Sequence, residues 1–271
     1  MTHEELSAAV ARQLSVWPLA RRNHDALNGL LTRRMEVDGF TWTLQHNPAR
    51  ALSTAAPVDA ASIAARPCFL CVANRPPEQH PLATLDGFEV LVNPFPIFPL
   101  HLTIAATTHR PQQIGSVASS FIEAAALLPG MTVFYNGARC GASAPDHLHF
   151  QAVPTDALPI WLSTGTNRPV RHFRADNLSA RESARFIAEA TTRWTDDSIN
   201  AYARSTMTGT FDVIVIPRRA HRPAIYGSDP GQYLISPGAI DMAGTLILPR
   251  HTDFLTLTPS TLRQILTEVA Y

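Results

Sequence analysis

Residues 135–154 read YNGARCGASAPDHLHFQAVP. His147, His149 and Gln151 alternate there with Leu148 and Phe150. In a strand, residues i, i+2 and i+4 share one face. The three nitrogen-bearing side chains then line one surface, and Leu148 and Phe150 turn to a core. The approach to them, NGARCGASAPD, is built of small residues. Gly137, Gly141 and Ser143 allow backbone N–H groups to come close to an anion. A neutral imidazole can attack an α-phosphorus to form a phosphoramidate, so this stretch suits phosphorus chemistry. The competing reading is a solvated edge strand, which gives the same alternation. The small-residue approach favours function.

Working outward, MTVFYNG is a strand closed by Asn136-Gly137, and HLHFQAV is the next strand. QQIGSVASSFIEAAALLPG is a helix stopped by Pro129-Gly130. Phe88–Val92 and Leu102–Ala105 are apolar runs joined by a proline-rich connection, and they suggest adjacent strands. Residues 1–35 read as helical, with Thr2 and Glu5 as a capping box. Phe40–Arg50 reads as a strand entering an Asn-Pro turn, and a linker follows to about Arg66. Downstream, NLSARESARFIAEATTRW is a helix with Ser179 and Glu182 as its capping box. TFDVIVIPRRAHRP and GAIDMAGTLILPRHTDF each hold a strand. TPSTLRQILTEVAY closes the chain as a helix, with Thr258 as N-cap and Pro259 in its first turn. LTIAATTHRP and VIVIPRRAHRP echo each other and suggest a duplicated strand unit. Strand runs alongside separate helices predict an α+β fold with a largely antiparallel sheet.

The chain has 271 residues, 45% of them apolar, which is enough for a sizeable core. Basic and acidic side chains balance at 22 each, so nothing suggests a nucleic-acid or membrane partner. Every basic residue is arginine. Schiff-base and P-loop lysines are therefore excluded, and phosphate must be held by Arg, His or backbone N–H groups. No apolar run approaches the ~18 residues of a transmembrane helix. The N-terminal stretch reads as an amphipathic helix and not as a signal peptide. With three cysteines and no disulfide framework, the expected location is cytoplasmic.

Cys68 and Cys71 form a CxxC pair, which means a metal site, a redox pair or chance. The redox reading wants a helix N-terminus, and Asn74-Arg75-Pro76-Pro77 allows no long helix there. A zinc site needs further ligands, for which His109, His147 and Cys140 are the candidates, Cys140 reading better as a buried filler. Gln45, Asn47 and Arg50 are candidates for base, ribose or phosphate contact, with a plain turn as the competing reading. Arg218, Arg219, His221 and Arg222 form a basic turn whose default reading is surface solvation. Asp241, between glycines, reads as a turn residue, with ribose binding the less favoured role. Asp146 orients an imidazole or merely favours its turn.

Taken together, CFLC, the strand ending in His109 and His147-x-His149-x-Gln151 resemble the galactose-1-phosphate uridylyltransferase branch of the histidine-triad (HIT) superfamily. That branch also holds diadenosine tetraphosphate phosphorylases and plant GDP-L-galactose phosphorylases, and HLHFQA is most similar to the latter. QHNPAR, RPCFLC, NPFPIFPLHLTI and LISPGAIDMAGTLILPR resemble an uncharacterised bacterial family near them. The resemblance implies a HIT-like fold with an N-terminal extension over 1–65, a catalytic half over 66–155 and a second HIT-like half over 156–271. It implies His149 as nucleophile and Gln151 as the residue that hydrogen-bonds phosphate in the covalent intermediate. It implies structural Zn2+ on Cys68, Cys71, His109 and His147. Asn136 and Ser143, with the Gly137–Gly141 loop, would contact phosphate, and Asn93 and Phe95 would bind the nucleoside.

The expected activity is therefore nucleotidyl transfer or phosphorolysis. The substrate would be a nucleoside diphosphate-sugar or dinucleoside polyphosphate, and the acceptor phosphate or a sugar phosphate. Relatives suggest a homodimer. A HIT-type hydrolase and a non-enzymatic, zinc-stabilised nucleotide-binding protein are the alternatives. The motif departs from the uridylyltransferases at Leu148, where they have proline, and in an extra residue between Ser143 and His147.

Overall fold

The computed structural model describes residues 2–55, 59–162 and 170–271. Among the described residues, eleven strands form two sheets: β1 (Leu31–Val37), β2 (Phe40–His46), β3 (Ala83–Leu85), β4 (Phe88–Val92), β5 (Leu102–Ala106), β6 (Met131–Asn136), β7 (His149–Pro154), β8 (Phe173–Leu178), β9 (Ile199–Ser205), β10 (Phe211–Pro217) and β11 (Thr245–Leu248). The large sheet has the order β3-β4-β5-β7-β6-β9-β10-β8, and every pairing in it is antiparallel. The small sheet has the order β1-β2-β11, with β2 and β11 parallel. The fold is thus the expected α+β, HIT-like arrangement of a large antiparallel sheet flanked by helices.

Burial explains which strands the sequence announces. β4, β5, β6 and β10 lie inside the large sheet and are buried along nearly their whole length, so they read as largely apolar runs, broken only at residues such as Glu89 and Asp212. One face packs under the helices His3–Val16, Ala118–Leu127 and Ala180–Trp194, through residues such as Leu6, Phe121, Ile187, Phe150 and Val213. The opposite face meets the small sheet and the helix Pro259–Val269, through Trp42, Leu44, Phe134, Tyr202, Leu246 and Leu266. The capping boxes at Thr2/Glu5 and Ser179/Glu182 form as expected. Thr258 caps the last helix by accepting the Thr261 N–H.

Several local expectations change. The helical reading of 1–35 holds to Gly29, through the α-helices His3–Val16 and Pro18–Asp25 and a 3-10 turn over Ala26–Gly29, and residues from Leu31 enter β1, paired along its length with β2. The linker before Arg66 contains two short helices, Ala51–Ala55 and Ala60–Ala64, while 56–58 lie outside the described residues. β7 begins at His149, so His147 precedes the strand, its N–H bonded to the Ala144 carbonyl. β8 and β9, which show no strong β pattern, border β10 on its two sides. No helix among the described residues is long and apolar enough to cross a membrane.

Candidate active site

His149 and Gln151 project from β7 on the face opposite Phe150, whose ring stacks on Phe88 in the core. His149 is buried, and its Nδ1 lies 2.8 Å from the His147 carbonyl oxygen. A carbonyl only accepts, so Nδ1 carries the proton and Nε2 keeps the lone pair. Burial pushes the His149 pKa down to about 4, so the ring is neutral at neutral pH. This is the nucleophilic form of an imidazole, with its reactive nitrogen set by the other nitrogen's bond.

Gln112 holds the backbone under this histidine. Its side chain is 1% exposed. Its Oε1 accepts the His149 N–H at 2.8 Å, and its Nε2 donates to the carbonyls of His149 and Asn136, both at 2.9 Å. The β6–β7 ladder runs to the pair Phe134–Gln151, and Gln112 spans the two strand ends just beyond it.

The segment 93–101 gathers the candidate substrate residues. Arg50 donates to the Phe95 carbonyl at 2.9 Å, and Gln45 donates to the Ile97 carbonyl at 3.3 Å. Asn47 donates to Gln45 Oε1. Asn93 Oδ1 accepts the Phe95 N–H, which turns the chain and leaves the Phe95 ring exposed. His101, a residue the sequence did not single out, contacts Gln151 Oε1 at 2.8 Å through Nε2. Its neighbourhood of prolines and apolar residues hid it, and its partner lies 50 positions away.

A second cluster sits beside the first. Cys68 Sγ is 3.2 Å from His147 Nδ1, and Cys71 Sγ is 3.3 Å from His109 Nδ1 and 3.6 Å from His147 Nδ1. The four candidate donor atoms all lie within 4.8 Å of one another. Zinc bonds of roughly 2.0–2.3 Å imply donor–donor separations of about 3.3–3.8 Å in a tetrahedron, so the spacing fits. His147 Nε2 lies 2.8 Å from the Ala106 carbonyl, which fixes its proton there and leaves Nδ1 facing the two thiols. The Asp146 carboxylate is 4.0 Å from His109 Nε2 and 3.3 Å from the Arg66 guanidinium. Cys68, Cys71, His109 and His147 thus form a Cys2His2 group able to hold a metal. An open pocket of about 500 Å³ lies against it, lined by residues including Ile63, Arg66, Pro145 and Asp146.

The small-residue loop is arranged for packing more than the sequence suggested. The N–H groups of Gly137, Arg139 and Cys140 already donate to Ile199, Asp197 and Gly137 carbonyls. A Cβ on Gly137 would meet the backbone of Asp196 and Asp197 at 2.5–2.6 Å. Gly141, at φ +117°, lies against Asn136 Oδ1 and Gly238. Asn136 is buried, and its Oδ1 accepts from Ala239 N–H at 2.7 Å and Asn200 Nδ2 at 3.1 Å. Ser143 is exposed, and Cys140 is a buried filler whose thiol donates to the Ile199 carbonyl.

Arg218 is no surface residue. It is 2% exposed and donates to the carbonyls of Val269, Cys140, Ala220 and Pro237 and to Asn200 Oδ1. Asp241 is buried as well, accepting from Gly238 N–H and Ile247 N–H, each at 2.8–2.9 Å. Burial raises its pKa to about 6, against those two bonds and the Arg50 and Arg218 charges.

No protein of curated function matches the chain. Crystal structures of yeast Ap4A phosphorylase Apa2 share its fold at 16% identity. One has a TM-score of 0.64 and covers 93% of this chain and 97% of that chain. The complex with AMP has a TM-score of 0.65, with 100% and 98% covered. The complex with Ap4A has a TM-score of 0.59, with 94% and 97% covered. A family model described as Domain of unknown function (DUF4922) matches residues 9–154, which hold the CxxC pair, His109 and His147-x-His149-x-Gln151, and the chain belongs to that family.

Proposed function

We propose that the protein is a nucleotidyltransferase or phosphorylase that works through a covalent nucleotidyl-His149. The observation that carries this reading is the His149 ring. It is neutral and buried, its Nδ1 proton is held by the His147 carbonyl, and its Nε2 lone pair is left for attack. Gln151 stands two residues on, on the same face of β7. The fold shared with an Ap4A phosphorylase supports the same reading.

In the first step His149 Nε2 attacks the α-phosphorus. The P–N bond forms as the P–O bond to the leaving phosphate or sugar phosphate breaks, and the electron pair leaves with that oxygen. The Gln151 amide donates to a non-bridging oxygen as charge develops. In the second step an oxygen of inorganic phosphate or a sugar phosphate attacks phosphorus, and the P–N bond breaks. Arg50, Asn93, Phe95 and Gln45 surround the nucleoside and phosphates of the donor, a nucleoside diphosphate-sugar or dinucleoside polyphosphate. Ser143 and the N–H groups of the Gly137–Gly141 loop not already bonded are assigned to the phosphates. Cys68, Cys71, His109 and His147 would hold the structural zinc ion, which would serve as a cross-link and steady the His147 carbonyl that accepts from His149 Nδ1.

The test is intact-protein mass spectrometry at neutral to mildly basic pH, where a phosphoramidate survives. The protein is mixed with GDP-hexoses, UDP-hexoses, ADP-sugars and diadenosine polyphosphates without added phosphate. A nucleotide-sized adduct is expected in the wild type and absent from His149→Ala. An adduct that persists in His149→Ala would sink the assignment of the nucleophile. No adduct and no turnover with any donor would sink the reaction class.

A further inference from the structure

The hydrogen bonds around His101 can be read in only one direction. The Ile97 N–H points at His101 Nδ1 at 3.1 Å, so Nδ1 must hold a lone pair. In a neutral ring the proton then sits on Nε2, which faces Gln151 Oε1 at 2.8 Å. The opposite tautomer would set two donors against each other at Nδ1 and two lone pairs at Nε2. An imidazolium would still clash with the Ile97 N–H. Asn93 Nδ2 stands 3.5 Å from Nε2, too far to compete for it, and its own oxygen is committed to the Phe95 N–H. His101 is 3% exposed, and burial followed by the Arg50 charge pushes its pKa down to about 3, in keeping with a ring that stays neutral.

The consequence falls on Gln151. A glutamine amide can turn over, and its two ends are nearly isosteric. With Nε2–H of His101 donating, only the oxygen end can face the histidine. The amide nitrogen of Gln151 is then held at the end turned away from His101, where no protein acceptor meets it among the described residues. The geometry points to His101 as a positioning residue that locks the Gln151 amide with its N–H groups turned to the substrate. This rests on the nucleotidyl-transfer reading for its use, since a phosphate oxygen is what those N–H groups would meet. The orientation itself does not depend on that reading. Without the lock, the amide would sample the flipped state, which presents an oxygen to a phosphate oxygen and repels it.

The experiment has two arms on the intact protein. Nitrogen NMR of ring-labelled histidine should show His101 with Nε2 protonated and Nδ1 bare, unchanged between about pH 5 and 8. An Nδ1–H tautomer, or titration to imidazolium in that range, overturns the proposal. In the second arm, His101→Phe should slow nucleotidyl transfer to His149 about 10-fold with little change in donor KM. Gln151→Ala should cost less in the His101→Phe background than in the wild type, because the amide is already unlocked there. His101→Gln, which keeps a donor, should recover part of the rate, and it serves as the test variant where the phenylalanine chain fails to fold. Fully additive losses from His101 and Gln151 overturn the proposal. Absence of any adduct in the wild type, with the Nε2–H tautomer present, refutes the reaction and upholds the orientation.

Discussion

Gln112 shows how one side chain replaces a length of strand. Its three hydrogen bonds satisfy two carbonyls and one N–H at the point where β6 and β7 stop pairing. Gln112→Ala leaves those three buried groups without partners, at on the order of 1–3 kcal/mol each before relaxation. We expect a loss of at least ~3 kcal/mol, seen in thermal melts as a fall in Tm of roughly 6–12 °C. An unchanged Tm would mean that water or a shifted backbone replaces the amide. The side-chain patterns legible in the sequence are those that repeat within a few residues. The HxHxQ alternation and the CxxC pair are short-range patterns, and the structure puts His149 beside Gln151 and Cys68 beside Cys71. Gln112 and His101 gave no such signal, because their partners lie 24–50 positions away. Arg218 sat in a run of polar turn residues, and nothing local marks a buried guanidinium.

At the scale of elements, the Cys2His2 group fastens three segments that have little regular structure of their own. The turn carrying Cys68 and Cys71, the stretch after β5 that carries His109, and the lead into β7 meet at one point. Beneath them lies a small cluster of Cys68, Leu70, Leu91, Ala105 and Ala144, too small to hold the turn by apolar burial alone. Metal analysis of tag-free protein should give one zinc per chain, lost in Cys68→Ser. A strong chelator should lower Tm by roughly 5–10 °C. Its first effect should be protease cleavage between Arg66 and His80, ahead of global unfolding. Wild-type protein carrying no zinc, with the same melting curve before and after chelation, would contradict this. Elements with mostly apolar runs, such as β4, β5 and β10, are legible in the sequence. β8, with Arg174, Asp176 and Asn177, and β9, with Asn200 at its start, were not, because those residues disfavour strands and are tolerated there by tertiary bonds. Asp212 is one source of such bonds, accepting the Asn177 N–H and pairing with Arg204.

Across the whole molecule, the order of strands was the least readable feature. Nothing in the local pattern says that β6 should lie between β7 and β9, yet that pairing carries the large sheet across residue 155. Arg218 reinforces the junction by tying Cys140 on one side to Asn200, Pro237 and Val269 on the other. Arg218→Ala strands this set of buried acceptors and should cost roughly 3–5 kcal/mol. We expect one cooperative transition at lower temperature by calorimetry. Two resolved transitions would show that the portions before and after residue 155 unfold independently.

The parallel pairing of β2 with β11 sets a timetable for synthesis. Thr43 to His46 pair with Thr245 to Leu248, and the Asn47 N–H donates to the Leu248 carbonyl. About 200 residues separate the partners, so at ~5–20 residues per second β2 waits ~10–40 s on the ribosome with one edge bare. Gln45 and Arg50, on and just beyond that strand, are seated only when β11 arrives. A chain cut short before Thr245 therefore carries His149 and Gln151 but leaves one edge of β2 unpaired, a sticky strand edge open to association.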